Sequence, residues 1–239
     1  MYADTQPTKL YYITPCFRYE RPQAGRQRQF HQFGIEVLGS DGPSVDAEVI
    51  SLAVQFFNEM GLKNLSVNIN SVGCPTCREE YNRKLKEYLD KKVDVLCETC
   101  LERKDKNPMR VIDCKNPHCK ENLQDIPFMI DHLCDDCKEH FEKLQTYLKE
   151  MDINFVVDKT IVRGLDYYKK TAFEIISNDI GSQSTVCGGG RYDGLVEMLG
   201  GPKGISGIGF GLGVERLLLT LENNNIEIEN PKSTDIYIA

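Results

Sequence analysis

The stretch FRYERPQAGRQRQFHQFGIE, residues 17 to 36, decides how the rest of the chain is read. It packs Arg18, Arg21, Arg26 and Arg28 into a chain whose 36 acidic residues outnumber its 29 lysines and arginines. Successive side chains of a strand point to opposite faces. From Phe30 to Val37 that alternation puts Gln32, Gly34 and Glu36 together and leaves His31, Phe33, Ile35 and Val37 opposite. The second set reads as a core face. The first presents an amide and a carboxylate on either side of a gap without a side chain, a shape that admits a small polar ligand. A solvated outer face would carry the same residue types. The preceding ERPQAG holds the Pro and Gly of a long strand-to-strand turn. Guanidinium groups match phosphate oxygens with two parallel donors, so an arginine hairpin in an acidic chain predicts a polyphosphate ligand. The competing reading is a surface salt-bridge network with Glu20 and Glu36.

The surrounding chain narrows the possibilities. Its 239 residues suffice for one large domain or one domain with an insertion. Apolar content of 41% and charged content of 27% are ordinary for a globular protein. No apolar run is long enough to span a membrane, and no signal peptide is visible; a cytoplasmic location is expected. A net charge of −7 argues against a general nucleic-acid coat, although a local basic patch could still hold one.

Three zones are expected. Residues 1–71 contain two strand-like runs around the arginine loop, then a helix carrying Val49, Ala53, Phe56, Phe57 and Met60 and ended by Gly61, then the run LSVNIN. Residues 72–149 hold eight cysteines among charged amphipathic helices, one marked by Tyr81, Leu85, Tyr88 and Leu89 and another by Phe141, Leu144 and Leu148. Residues 150–239 return to β-rich runs between glycines and include the helix VERLLLTLE. Strands, helices and strands again predict an α+β antiparallel sheet flanked by helices, with a mainly α-helical cysteine-rich insertion. Both ends read as cut, which predicts a fragment of a longer protein.

Neither G-x-x-x-x-G-K-[ST] nor G-x-G-x-x-G occurs, so a P-loop or a dinucleotide fold does not explain a phosphate site. Three later motifs join the arginine loop. VRGLDYY, 162 to 168, sets Arg163 before Tyr167 and Tyr168. CGGGRYDGL, 187 to 195, lets backbone approach a ligand closely. In GIGFGLGVERLLL, 207 to 219, Gly207, Gly209, Gly211 and Gly213 fall on alternate residues, so one strand face has no side chains and a flat ring could lie there. Arg216 then stands in the first turn of a helix, where the dipole does not favour a cation. Together, and in this order, the four stretches resemble motif 2, two histidine-specific signatures and motif 3 of the class II aminoacyl-tRNA synthetases, in the form of the histidyl-tRNA synthetase family. The resemblance covers roughly 1–71 and 150–239, and more loosely the insertion.

It implies ATP-dependent activation of histidine and transfer to the 3′ end of tRNA(His), with ATP carrying Mg2+. Arg18 would contact the α-phosphate and Glu20 the adenine; Arg26 and Arg28 would meet the outer phosphates and the acceptor end. Arg216 would hold the γ-phosphate side, with Gly209 and Gly211 beneath the nucleotide. Gln32 would hold the histidine backbone, Glu36 and Tyr168 the ring nitrogens, and Tyr167 and Tyr192 would line the pocket. Arg163 would stabilise charge building on the α-phosphorus and line the histidine site. The resemblance also implies a homodimeric parent, with the dimer-building motif 1 upstream, an anticodon-binding domain downstream, and weak or no activity for this chain alone.

The clustered cysteines pair as Cys74/Cys77, Cys97/Cys100, Cys114/Cys119 and Cys134/Cys137, the first two pairs separated by nineteen residues. That spacing is typical of zinc, and it predicts one or two structural zinc ions without showing which pairs combine. Metal-free reduced thiols are the alternative. Cys16 and Cys187 read as core or pocket residues. Two rival functions remain at this point: the synthetase-like regulatory subunit of ATP phosphoribosyltransferase, and a zinc-dependent RNA-binding module for which the sheet is scaffold.

Overall fold

The alternation in β2, Gln29–Leu38, resolves in the computed structural model into a two-faced strand within a seven-stranded sheet. The structure describes residues 5–19, 22, 26–162, 167–177 and 185–228. The other strands are β1 (Thr8–Phe17), β3 (Leu65–Ser71), β4 (Phe155–Val157), β5 (Lys169–Ser177), β6 (Thr185–Arg191) and β7 (Gly207–Gly213). Their spatial order is β1-β2-β7-β6-β5-β3-β4, and each neighbouring pair is antiparallel except β3 with β4.

One face of the sheet is covered by helices. Phe33, Ile35 and Val37 of β2 pack there with Phe210 and Leu212 of β7. Opposing them is α1, Pro43–Glu59, whose apolar stripe brings Val49, Ile50, Ala53 and Phe57 to the sheet. Phe33 stacks on Phe56 with ring centroids 5.5 Å apart. The chain leaves α1 through Gly61 at φ +85°, a left-handed conformation that a side chain would strain. Helix α7, Val214–Asn223, adds Leu217 and Leu221 to the same layer. His31 departs from the expected core face: it is exposed at the strand end, its Nδ1 2.9 Å from Glu215.

Between β3 and β4 lie α2 (Pro75–Asp90), α3 (Glu98–Lys106), α4 (Pro117–Asn122) and α5 (Asp135–Glu150). Tyr81, Leu85 and Leu89 of α2 form a second core with Val111, Leu123, Ile126, Met129 and the cysteines. The last helix serves both cores: Cys137 belongs to the second, whereas Phe141, Leu144 and Leu148 pack into the sheet core beside α1.

Candidate functional site

The uncovered sheet face carries two adjoining hollows that share Gln32, Gly188 and Gly211. The first, about 350 Å³, is lined by Tyr12, Gln32, Glu36, Tyr167, Tyr168, Tyr192, Gly209 and Gly211, among others. Glu36 accepts a short hydrogen bond from the Tyr192 hydroxyl, and Gln32 Nε2 donates to Tyr12 Oη at 2.5 Å. Tyr167 and Tyr168 lie 4.9 Å apart between centroids, and Tyr192 meets Tyr167 edge-on at 6.4 Å. Burial raises the Glu36 carboxyl above its ordinary range, against the Tyr192 hydrogen bond, which lowers it. Burial and the Glu36 charge push the Tyr192 hydroxyl far up, so it remains a donor at any physiological pH.

The alternating glycines of β7 explain how this polar row fits. A side chain at Gly209 would run into the Glu36 carboxylate and one at Gly211 into the Gln32 amide. That part of the face is therefore not bare, as the sequence pattern suggested. Side chains of β2 lie across it, and the open floor begins where Gly211 and Gly213 enter the second hollow.

The second hollow, about 250 Å³, is lined by Arg18, Phe30, Gln32, Thr185, Gly188, Gly211, Gly213 and Arg216, among others. The Arg18 guanidinium sits 3.7 Å over the Phe30 ring, and Arg216 Nη1 donates to the Thr185 carbonyl at 2.6 Å. Burial lowers the pKa of Arg216, the positive charges of Arg18 and Arg26 lower it further, and Glu174 opposes them. Three guanidiniums thus press on one another beside an open cleft, an arrangement that an anion would relieve. The proposed salt-bridge alternative fails for Glu36, whose partner is Tyr192. Arg28 is exposed and does not line either hollow, although its carbonyl accepts from the Arg18 amide at 2.8 Å. Glu20, Arg21 and Arg163 lie outside the described residues.

Sequence reasoning missed two sets of residues. Tyr12 escaped because a tyrosine in an alternating strand looks like any half-buried aromatic. The second set lies under the sheet, where Arg191 and Asp46 are both fully buried and paired. Asp46 Oδ2 also lies 2.7 Å from His140 Nε2 and accepts from Thr171. Arg191 further donates to Asp193 Oδ1 at 3.0 Å and to the carbonyls of Ser40 and Gly42 at 2.8 and 3.3 Å. The next residue, Tyr192, points to the opposite face and holds Glu36, so the buried pair anchors the strand end from which the pocket tyrosine projects. A carboxylate on the apolar stripe of α1 was the signal available in the sequence.

The cysteines form two quartets, Cys74, Cys77, Cys134 and Cys137 and, nested inside them, Cys97, Cys100, Cys114 and Cys119. Within each, all four sulfurs lie within 4.8 Å of one another. Four thiolates at about 2.3 Å from zinc in a tetrahedron would stand about 3.8 Å apart. The sulfur separations are 3.5 Å for Cys74 to Cys77, 3.9 Å for Cys74 to Cys134 and 3.8 Å for Cys97 to Cys114. No cysteine is disulfide-bonded. Backbone amides also point at sulfur, Cys134 N to Cys77 Sγ and Cys97 N to Cys119 Sγ, each at 3.1 Å. Burial raises the Cys74 thiol, but hydrogen bonds from the Cys77 amide and neighbouring thiols bring it down to about 6. Hydrogen bonds led by the Cys100 amide bring Cys97 to about 7. Their neighbours Cys77, Cys100, Cys119 and Cys137 shift upward, burial being the main cause. A bound dication would reverse the upward shift of these four thiols. The donor set and spacing fit zinc.

Comparison with known proteins identifies the family. The sequence profile of the histidyl-tRNA synthetase family matches residues 1–217. A histidine–tRNA ligase of Clostridioides difficile (strain 630) is 82% identical over all 239 residues. Another, from Caldanaerobacter subterraneus subsp. tengcongensis, is 59% identical over the same span. The chain spans 57% of the length of each. Among solved structures, the apo histidyl-tRNA synthetase of S. aureus superposes with a TM-score of 0.75 at 40% identity, covering 94% of this chain and 53% of that one. An ATP phosphoribosyltransferase regulatory subunit/histidyl-tRNA synthetase from Bacillus halodurans C shares the fold, with a TM-score of 0.59 at 22% identity over 92% of this chain and 60% of that one. The chain belongs to the histidyl-tRNA synthetase family.

Proposed function

We propose that the complete protein activates histidine with ATP to histidyl-adenylate and pyrophosphate, then transfers the histidyl group to the 3′ end of tRNA(His). The observation that carries this reading is the continuity of the two hollows through Gln32. A carboxylate and tyrosines suited to an imidazole stand on one side, and an arginine cluster suited to a triphosphate on the other.

In this reading Glu36 and Tyr168 hold the ring nitrogens and Gln32 the amino-acid backbone, with Tyr167 and Tyr192 closing the wall. Arg18 and Arg216 clamp the phosphates, Arg26 assists, and Arg28, exposed at the hairpin, meets the acceptor end. Gly211 and Gly213 leave room for the nucleotide. Mg2+ enters on the phosphates, and Glu174, whose charge Arg216 feels, is the nearby carboxylate that could share it. The adenine contact of Glu20 and the α-phosphate role of Arg163 rest on the motif resemblance. Catalysis by such a site consists of positioning the histidine carboxylate in line with the α-phosphorus and neutralising the charge that develops there. The retained arginines, and relatives of high identity named as ligases, favour the synthetase over the regulatory subunit.

A homodimer is supported by β1. Tyr11 and Ile13 lie opposite Ile35 and Phe33, on the helix-covered side of the sheet, yet are 76% and 68% exposed. An apolar face that continues past the last covering helix suits a partner surface. Ten cysteines without a disulfide fit a reducing cytoplasm. Among the described residues no helix is long and apolar enough to cross a membrane.

The test is histidine-dependent exchange of pyrophosphate into ATP by the complete natural protein. Arg216→Ala is expected to lower kcat/KM for ATP roughly a hundredfold while histidine still binds. A folded wild-type protein that binds histidine but catalyses no exchange would favour the regulatory-subunit reading. Metal analysis should give two zinc ions per chain, with Cys114→Ser and Cys134→Ser each removing one, and chelation should melt helix in the cysteine-rich segment.

A further inference from the structure

One side chain joins the outer cysteine quartet to the amino-acid pocket. Arg78 follows Cys77 in the first turn of α2. Its Nε donates to the Val72 carbonyl at 2.9 Å, and its Nη2 donates to the carbonyl of Tyr168, a residue lining the pocket. The backbone is tied at the same place: Lys170 N donates to the Gly73 carbonyl at 2.9 Å, and Val72 N to the Lys170 carbonyl at 2.8 Å. Gly73 and Lys170 have φ of +63° and +53°. A non-glycine residue holds that conformation only where its surroundings impose it. Lys170 Nζ reaches Asp136, beside Cys137 on α5, at 2.9 Å. The segment from Tyr168 to Lys170 is thus tied to both helices at whose N-termini the outer quartet lies.

We propose that Arg78 is a positioning residue for the amino-acid pocket, and that the metal of the outer quartet sets the position of Arg78. Binding of metal by Cys74, Cys77, Cys134 and Cys137 locks the N-termini of α2 and α5 against each other. That lock holds the Arg78 fork on the two carbonyls and Tyr168 at the correct height for the ligand ring. Among the described residues the inner quartet has no such connection to the pocket. Its surroundings are the second core and a separate hollow lined by Val111, Cys114, Cys119, Leu123 and Phe128, which shares no residue with the pocket.

The inference rests on the histidine-activating reading and is tested on the complete natural protein. Calorimetric histidine binding, exchange kinetics and zinc content are measured for Arg78→Ala, with Arg83→Ala, an exposed arginine of the same helix, as control. Arg78→Ala should retain both zinc ions, raise the Kd and KM for histidine about tenfold, and leave the KM for ATP within about twofold. Cys134→Ser should give the same split and Cys114→Ser should not. The double variant Arg78→Ala/Cys134→Ser should be no worse than the poorer single variant, because both act through one link. Unchanged histidine binding in zinc-loaded Arg78→Ala, or equal loss of both substrates, would overturn the proposal even if Cys134→Ser fails to fold. A wild-type protein without histidine binding or exchange would remove the functional reading, and this inference with it.

Discussion

Glu36→Gln in the complete protein is expected to lower kcat/KM for histidine on the order of 10³-fold and to leave the KM for ATP within about twofold. The substitution keeps shape, and the amide oxygen can still accept from Tyr192. In the proposed reading it removes the negative charge that meets an imidazole N–H, and it turns a donor toward the ring where an acceptor is required. The carboxyl of Glu36 is raised by burial, so histidine binding by the wild-type protein should weaken as pH falls through that raised value. The glutamine variant should lack this acidic limb. Histidine's own titration is common to both proteins and cancels in the ratio of their affinities. The stability consequence has the opposite sign to the usual carboxylate. With the native pKa raised, the native state binds more protons than the unfolded chain, so stability falls as pH rises above about 4.5, the ordinary value. At neutral pH the glutamine variant should therefore be at least as stable as wild type in urea titrations, while losing most of its activity. Equal loss of stability and activity would mean that Glu36 is structural rather than ligand-binding.

The sheet was legible because a local rule forced it. Alternation in β2 can place Phe33, Ile35 and Val37 on only one side, and a helix with an apolar stripe had to cover them. His31 broke the rule because it stands at the strand end, past the reach of α1, where Glu215 offers a partner and the surface is wet. The arginine cluster was legible in part from charge density, since Arg18 and Arg26 fall in one short stretch of an acidic chain. The rest depended on contacts distant in sequence. Cysteine spacing is the same for consecutive and nested pairing, and only the return of α5 beside α2 brings Cys134 to Cys74 across 60 residues. Arg78 carried no local signal, because an arginine in the first turn of a charged helix looks solvated until the Tyr168 loop is folded behind it. The buried network escaped for the same reason. The side chains of Asp46, His140, Thr171 and Arg191 come from α1, α5, β5 and β6, and no window of sequence contains two of these four.

That network sets the second large effect. Asp46→Asn is expected to cost about 3–5 kcal/mol of unfolding free energy, because it removes the fully buried carboxylate paired with Arg191 and leaves that charge matched only by the partly exposed Asp193. Arg191 would keep its hydrogen bonds to Asp193 and to the carbonyls of Ser40 and Gly42. The loss would therefore report the Asp46 charge together with the acceptor that its second oxygen supplies. Burial raises the Asp46 pKa, but hydrogen bonds and charge from His140 and Arg191 bring it below 3.8. Its contribution is then present above that value and lost as pH falls through the lower native value, since the unfolded chain binds the extra proton in that window. Urea titrations should show the gap between wild type and Asp46→Asn narrowing in acid. A double replacement, Asp46→Leu with Arg191→Met, should cost less than Asp46→Asn alone, because an apolar pair leaves no buried charge exposed to the interior. If the double variant is as unstable as the single one, the pair matters for shape and not for charge balance. If it is stable but binds histidine poorly, the retained volume has kept the fold while Tyr192 has lost its anchor. The buried ion pair would then serve the geometry of the pocket on the opposite face of the sheet more than the stability of the core in which it lies.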